Sequence, residues 1–197
     1  MKWSAHRCFL LLAFSLWCFA SFGQKLKYNV YLLGNKIGEM TIERRDSAGC
    51  KRYALKSTTD AKLLFIEKRS AMSTYVSFDV DGKLISAFFQ NIKDDETLLT
   101  KSIWESGKLR VDKNGEKTEY NGPVNFSSVL LYFAEPKNQQ KVFSERVGKF
   151  FEIVKQADGT YLAAIDGHSA VYTYKAGKLV ELEMKSTLGS ITMKIAQ

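Results

Sequence analysis

The residue types that most often carry out chemistry are scarce beyond residue 23, and each is isolated. The one cysteine there is Cys50, in a turn, and the one histidine is His168, in the turn Asp166-Gly167-His168-Ser169. A cysteine or serine nucleophile needs a histidine base, and zinc needs several histidine or cysteine ligands. We therefore expect neither a catalytic triad nor a zinc site, and we predict no metal and no cofactor.

Carboxylates are more numerous, but they form one cluster only. Calcium needs about six to eight oxygen ligands, and the adjacent side chains of Asp94-Asp95-Glu96 supply too few. We interpret this cluster as a solvated turn. Glycoside cleavage needs two carboxyl groups about 5 to 9.5 Å apart. Glu67, Glu105 and Glu152 are candidates that the sequence cannot rank, so a glycan hydrolase remains the lesser alternative.

Aromatic residues are the main resource of this chain. Core packing explains most aromatic residues on strands, whereas the functional alternative is an apolar pocket in the mouth of a barrel, a common place for small-molecule sites. The residues that we expect to line such a ligand site are Tyr75, Phe88, Trp104, Tyr132, Phe133, Tyr172 and Tyr174.

The elements that must position these residues are short β-strands. Apolar and polar residues alternate along most of the chain, and pairs such as Asn114-Gly115 and Ala176-Gly177 separate the alternating runs. Such pairs are strong hairpin signals. We predict an all-β fold, a curved antiparallel meander of roughly eleven or twelve strands that forms a barrel or half-barrel.

Two early segments are less regular. The glycines of Gly34-Asn35-Lys36-Ile37-Gly38 indicate a five-residue link between the first two strands. The run Leu63-Leu64-Phe65-Ile66 is continuously apolar, which indicates a bend or a strand covered on both faces.

The strand period fails only between Gly122 and Gly148. Asn125 or Ser127 can cap a helix, an apolar stripe follows at helical spacing, and Pro136 ends it. We predict a helical crossover at about residues 123–135 between the two halves of the meander. A helix of about eight residues is too short to be stable alone, so it must cover the sheet or plug one end.

The first 23 residues have the pattern of a signal peptide. Lys2 and Arg7 precede the apolar run Phe9 to Ala20, and small residues precede Gln24, where we expect cleavage. The remaining domain, 24–197, is predicted to be single and exported, to the periplasm or beyond, with outer-membrane association as a further option. Cleavage lowers the net charge from +8 to +6.

The basic residues that remain are spread along the strands. Scattered charge on the solvated face of a sheet is the simpler interpretation. Attraction to anionic glycans or lipid headgroups is the alternative.

Several segments carry a resemblance to known proteins. Leu131-Tyr132-Phe133, Glu135-Pro136, Val142-Phe143-Ser144-Glu145 and Tyr172-Thr173-Tyr174 with Gly177 resemble an uncharacterised family of exported proteins from Bacteroidota, a domain of unknown function. Tyr28 and the Gly34 to Gly38 hairpin more distantly resemble another unnamed exported family. The resemblance implies a signal peptide, a curved antiparallel sheet and an envelope location. It implies no activity and no functional residues.

These observations favour a protein that is not an enzyme. We expect an envelope protein that holds an apolar or amphipathic ligand, such as a lipid, in a barrel-like cavity. A structural module that binds an envelope protein through an edge strand is the alternative. We expect no nucleic-acid partner and, beyond residue 23, no transmembrane segment.

Overall fold

Alternating residues form fourteen antiparallel strands in a computed structural model, which describes residues 23–47, 49–63, 66–94, 96–165, 167–186 and 189–196. The first half of the chain contains β1 (Gly23–Leu32), β2 (Asn35–Ser47), β3 (Cys50–Leu63), β4 (Ile66–Asp79), β5 (Leu84–Lys93), β6 (Glu96–Glu105), β7 (Lys108–Lys113) and β8 (Glu116–Asn121). The second half contains β9 (Lys141–Ser144), β10 (Lys149–Lys155), β11 (Tyr161–Ile165), β12 (His168–Lys175), β13 (Lys178–Ser186) and β14 (Gly189–Ile195).

All fourteen strands belong to one curved, unclosed sheet. Its order is β8-β7-β6-β5-β4-β3-β2-β1-β14-β13-β12-β11-β10-β9. Each half is therefore a meander, and β1 and β14 join the halves through five residue pairs, from Tyr28↔Ile195 to Leu32↔Ile191. The predicted all-β meander is confirmed, although it has more strands than expected. The predicted signal peptide lies outside the described residues except for Gly23.

We call the end of the sheet that holds Leu32 and His168 the lower end, and the opposite end the upper end. Strands β8 and β9 form the two edges of the sheet. The segment between them, residues 122–140, starts and finishes at the upper end, which follows from the strand directions. We refer to it below as the crossover.

The first hairpin differs from its prediction. Leu33 and Gly34 form a two-residue turn with φ of 49° and 83°, so the turn lies earlier than the expected link. Ile37 is then an extra residue in a bulge, because Val30 pairs with Gly38 and Tyr31 pairs with Lys36. A Cβ atom on Gly38 would clash with the backbone of Thr58 in β3. The second glycine is needed for close strand approach rather than for the turn.

The apolar run 63–66 lies at the far end of the longest hairpin. Asp60 to Leu63 pairs with Ile66 to Arg69, beyond the last residue of β2 that pairs with β3 and the last residue of β5 that pairs with β4. This two-stranded ribbon extends past the lower end of the sheet. Neither flank of the ribbon has a further strand, so the paired residues form a hairpin extension of the sheet, and the expectation of a strand covered on both faces stays a prediction. Residues 64 and 65 lie outside the described residues.

The crossover contains much less helix than expected. A 3-10 helix of five residues, Ser128–Tyr132, is the helical element within it. A bridge between Ser127 and Phe143 and the hydrogen bond from Phe143 N–H to Phe126 O keep the preceding residues extended beside β9. These contacts use backbone groups that a longer helix would need, so the helix is limited to about one turn.

Side chains join the two edges of the sheet where backbone pairing does not. The hydroxyl of Tyr120 in β8 donates to the carbonyl of Gly148, and its ring packs edge-on against Phe143 and Phe150. Thr100 in β6 donates to the carbonyl of Arg146. The turn between β9 and β10 is therefore held against β6, β7 and β8, which gives the unclosed sheet a barrel-like shape.

Candidate ligand-binding interior

The crossover lies across the upper end of the sheet and contacts strands from both halves. Its Val124 carbonyl accepts a hydrogen bond from the Leu84 N–H at the start of β5. The ring of Phe133 lies 5.3 Å from that of Tyr53 in β3, and the ring of Tyr132 lies 5.8 Å from that of Tyr28 in β1. Val129 and Leu131 are buried. The upper half of the interior is consequently packed.

The structure separates the seven residues that were expected to line a ligand site. Tyr132 and Phe133 in the crossover and Tyr172 and Tyr174 in β12 all face the interior and pack on the main core. Trp104 also packs on this core, near the upper end of β6, with the Lys83 ammonium 5.5 Å from its ring centre.

Tyr75 and Phe88 do not belong to that group. They are paired residues on the outer face of β4 and β5, with their rings 6.3 Å apart, and Tyr75 is 45% exposed. Successive side chains of a strand alternate between faces. The neighbours of Tyr75 in the chain, Thr74 and Val76, are buried and point inward. These two residues therefore cannot line the same space as Tyr132.

Three tyrosine hydroxyls attach the crossover and β13 to the surrounding strands. Tyr174 donates to the Leu131 carbonyl at 2.8 Å, and Tyr161 donates to the Glu135 carboxylate at 2.8 Å. Tyr28 donates to the Leu179 carbonyl at 3.1 Å. Burial raises the pKa of Tyr28 and of Tyr161 to about 12. These hydroxyls therefore stay protonated and act as donors at all physiological pH values.

Tyr132 is deeply placed but not fully enclosed by contacts. Burial, with smaller contributions from Tyr172, Tyr28 and Glu145, raises the pKa of its hydroxyl well above the usual value. Part of its surface nevertheless remains accessible to water. Tyr132 thus contributes to the packed contact between the crossover and β1.

Among the described residues, Glu145 is the buried acid, and sequence reasoning did not select it as a functional residue. It lies in the turn after β9 and is 2% exposed. Its carboxyl group accepts hydrogen bonds from the Ser127 hydroxyl at 2.5 Å, the Ser128 hydroxyl and the Val129 N–H at 3.2 Å. Burial raises the pKa of Glu145, and these hydrogen bonds oppose the rise. The carboxyl group caps the 3-10 helix and ties it to β9.

The lower end of the interior is more open. Ile37, Met72, Met184 and Ile191 face the core from four strands, yet each is only half-buried. A separate concavity of about 600 Å³ lies at the lower rim, mainly on the outer face, where Thr58, Ala71 and Ile92 are cross-strand neighbours. The residues lining this concavity are Ile37, Gly38, Thr58, Thr59, Asp60, Arg69, Ser70, Ala71, Ile92 and Asp94.

The candidate carboxylates for glycan cleavage lie on three different strands. Glu67 in β4 pairs with Arg69, Glu105 in β6 pairs with Arg110, and Glu152 is exposed in β10. Cleavage would need two of them on either side of one bond, and Glu67 and Glu105 are occupied by cations. None of these three shares a site with the buried Glu145.

The isolated thiol and imidazole are also far apart in the fold. Cys50 begins β3 at the upper end, and His168 begins β12 at the lower end, where it is exposed. Within the described ranges, no group of three or more His, Cys, Asp or Glu residues could hold a metal ion. Asp94 pairs with Lys68, while Asp95 lies outside the described residues. The described residues also contain no helix with the length and apolar character needed to cross a membrane.

Comparisons with known proteins agree with this fold. The chain is similar to a crystal structure of a beta-barrel-like protein of the domain of unknown function DUF1849 from Brucella abortus, with 14% identity and a TM-score of 0.51. The match covers 88% of this chain and 95% of that chain, and at this identity it supports the fold alone. No curated protein matches the chain. A family profile described as a domain of unknown function, DUF6134, matches residues 28–196. The chain therefore belongs to the DUF6134 family.

Proposed function

We propose that this protein is a non-catalytic carrier that binds an apolar or amphipathic ligand at the lower end of its curved sheet. The observation that carries this proposal is the half-exposed apolar lining formed by Ile37, Met72, Met184 and Ile191. A ligand that covers core-facing apolar side chains removes their surface from water. This burial favours binding by about 25 cal/mol for each Å².

The chemistry of this lining favours an amphipathic ligand. Methionine is flexible and polarizable, so Met72 and Met184 can adapt to chains of different shape. Polar residues lie beside them on the same face: Ser57, Thr59 and Asn91 are half-buried near the lower rim. In the proposal, the apolar part of a ligand lies against the methionines and its polar group lies at the rim. The packed crossover, with Tyr132 and Phe133, forms the floor.

A partner-binding module is supported less well by the edges of the sheet. Edge strands bind other chains through unpaired backbone groups. Strand β8 is one edge, but Glu116, Lys117 and Glu119 are exposed along it, and such charges oppose strand addition. The other edge, β9, is partly covered by its bridge to Ser127. Both edges are thus protected.

The test is native mass spectrometry of the protein purified without detergent, followed by organic extraction and lipid analysis. We expect a bound species that is lost in Met72→Gln and Met184→Gln, because these changes keep side-chain length but add polarity. Ile103→Gln is the matched control, since Ile103 is 54% exposed on the outer face.

Two results would contradict the proposal: a protein that carries nothing and takes up no added fatty acid, or equal loss in the Ile103→Gln control. The same mass spectra also test our proposal that the protein is exported to the cell envelope. A mature chain that begins at Gln24 is expected after expression with an intact secretion pathway, and retention of residues 1–23 would contradict export.

A further inference from the structure

A pit lies on the outer face of the sheet, away from the proposed ligand site. Ala54 in β3 lies between Glu43 in β2 and Tyr75 in β4 in the strand register. The small alanine side chain between two larger ones leaves a concavity of about 390 Å³. The lining of the concavity consists of Thr41, Glu43, Arg45, Arg52, Tyr53, Ala54, Lys56, Tyr75, Val76 and Ser77.

Positive charge is concentrated around this pit. Arg52 and Lys56 lie two residues before and after Ala54 on the same face, and Arg45 is the direct cross-strand partner of Arg52. Like charges placed opposite each other on a sheet are destabilising. An anion bound beside Arg52 would offset that repulsion.

Existing ion pairs leave part of this charge unused. Glu43 accepts from both Lys25, at 2.7 Å, and Arg45, at 3.0 Å, and these contacts lower the pKa of Glu43. Among the described residues, neither Arg52 nor Lys56 forms an ion pair, and both are exposed. Two free cations therefore flank the small alanine.

An aromatic platform adjoins the cations. The Tyr75 ring lies at the wall of the pit, is 45% exposed, and is supported from behind by the Phe88 ring. An exposed, supported aromatic ring offers a flat apolar surface for the C–H face of a sugar ring. Guanidinium groups match the paired oxygens of phosphate and carboxylate.

We propose that this pit binds an acidic sugar, with its phosphate or carboxylate between Arg52 and Lys56 above Ala54 and its ring on Tyr75. Some of the basic residues that are scattered in the sequence therefore lie together at this site. It is independent of the proposed carrier function, because the outer and inner faces of the sheet do not share side chains.

The test is isothermal titration calorimetry of the whole mature chain, residues 24–197, at low salt. The ligands are glucose 6-phosphate, glucuronate, glucose and inorganic phosphate. We expect one of the two acidic sugars to bind at least ten-fold more tightly than both glucose and inorganic phosphate. Which of the two binds shows whether the site prefers a phosphate or a carboxylate. Arg52→Gln and Ala54→Leu should each weaken this binding about ten-fold or more, the first by removing a charge-assisted hydrogen bond and the second by filling the pit.

Lys117→Gln, on the distant edge strand β8, is the matched control because it changes net charge equally. We expect it to retain wild-type affinity. The proposal is overturned if neither acidic sugar binds more tightly than glucose, if Ala54→Leu retains wild-type affinity, or if Lys117→Gln weakens binding as much as Arg52→Gln. The last result would mean that only long-range electrostatic attraction operates. Circular dichroism confirms that each surface variant is folded.

Discussion

Replacement of Glu145 tests whether the buried carboxyl group holds the crossover against the sheet. In Glu145→Ala, the hydroxyls of Ser127 and Ser128 and the N–H of Val129 lose their acceptor. A buried donor without a partner costs about 1–3 kcal/mol, and three such donors that relax in part cost about 3 kcal/mol together. For a domain of this size, that corresponds to a melting temperature lower by about 6–12 °C.

The second variant, Glu145→Gln, separates hydrogen bonding from charge. Glutamine keeps an acceptor oxygen and the same length, and the serine hydroxyls can rotate toward its amide. Burial raises the pKa of Glu145 in the folded state. The stability contributed by this group is therefore fully present below the pKa of the unfolded chain, about 4.3, and is lost as the pH rises through the raised pKa of the folded state.

The assay is urea unfolding of wild type, Glu145→Gln, Glu145→Ala and Glu152→Ala between pH 4 and pH 8. Wild type should become less stable relative to Glu145→Gln as the pH rises, by at most about 1.4 kcal/mol per pH unit. Exposed carboxylates titrate equally in both proteins and cancel in the difference. Glu152→Ala, an exposed glutamate on β10, should stay within about 0.5 kcal/mol of wild type. A difference between wild type and Glu145→Gln that does not change with pH would refute the reasoning.

Two further predictions concern glycines at close contacts. Gly148→Ala should destabilise by about 2–4 kcal/mol in urea unfolding, because its Cβ would lie 2.5 Å from Val111 and its φ is +67°. Val111→Ala should restore part of that loss, whereas Gly122→Ala, with a similar φ and no neighbour within 4 Å, should cost only about 1 kcal/mol. Gly38→Ala should lower the melting temperature strongly, because the Thr58 backbone cannot move aside; a shift as small as that of Gly122→Ala would contradict the close approach.

Local patterns predicted most of the strands because their signals lie within a few residues. The period of two and the glycine turns are both read from neighbouring positions, and turns such as Asn114-Gly115 have the positive φ that they indicate. The first hairpin was misplaced because Leu33, at φ 49°, has a side chain that rarely adopts this conformation. A glycine is needed at position 38 because the backbone of β3 lies close to it. The neighbouring residues of the sequence do not indicate this contact.

Local sequence patterns predict only part of the candidate site, because its remaining contacts join residues that are distant in the chain. Strand alternation already placed Tyr75 on the face opposite Val76, so its assignment to the interior ignored a signal that was present. Glu145 was missed because its partners lie 16 to 18 residues earlier and become neighbours only when the crossover lies beside β9. Ser144 and Arg146 flank Glu145 in the sequence, so no local pattern marked it as buried.

The join between β1 and β14 has a consequence for the order in which the fold can form. Every other strand pairs with neighbours that are adjacent in the chain, so two meanders of eight and six strands can grow from local contacts. Tyr28 and Ile195 are the exception, because their pairing closes a loop of almost the whole described chain. Contacts of such large sequence separation form slowly. We therefore expect the two meanders to dock late in folding, along the β1–β14 pairing that ends in the hydrogen bond from Ala196 N–H to Lys27 O.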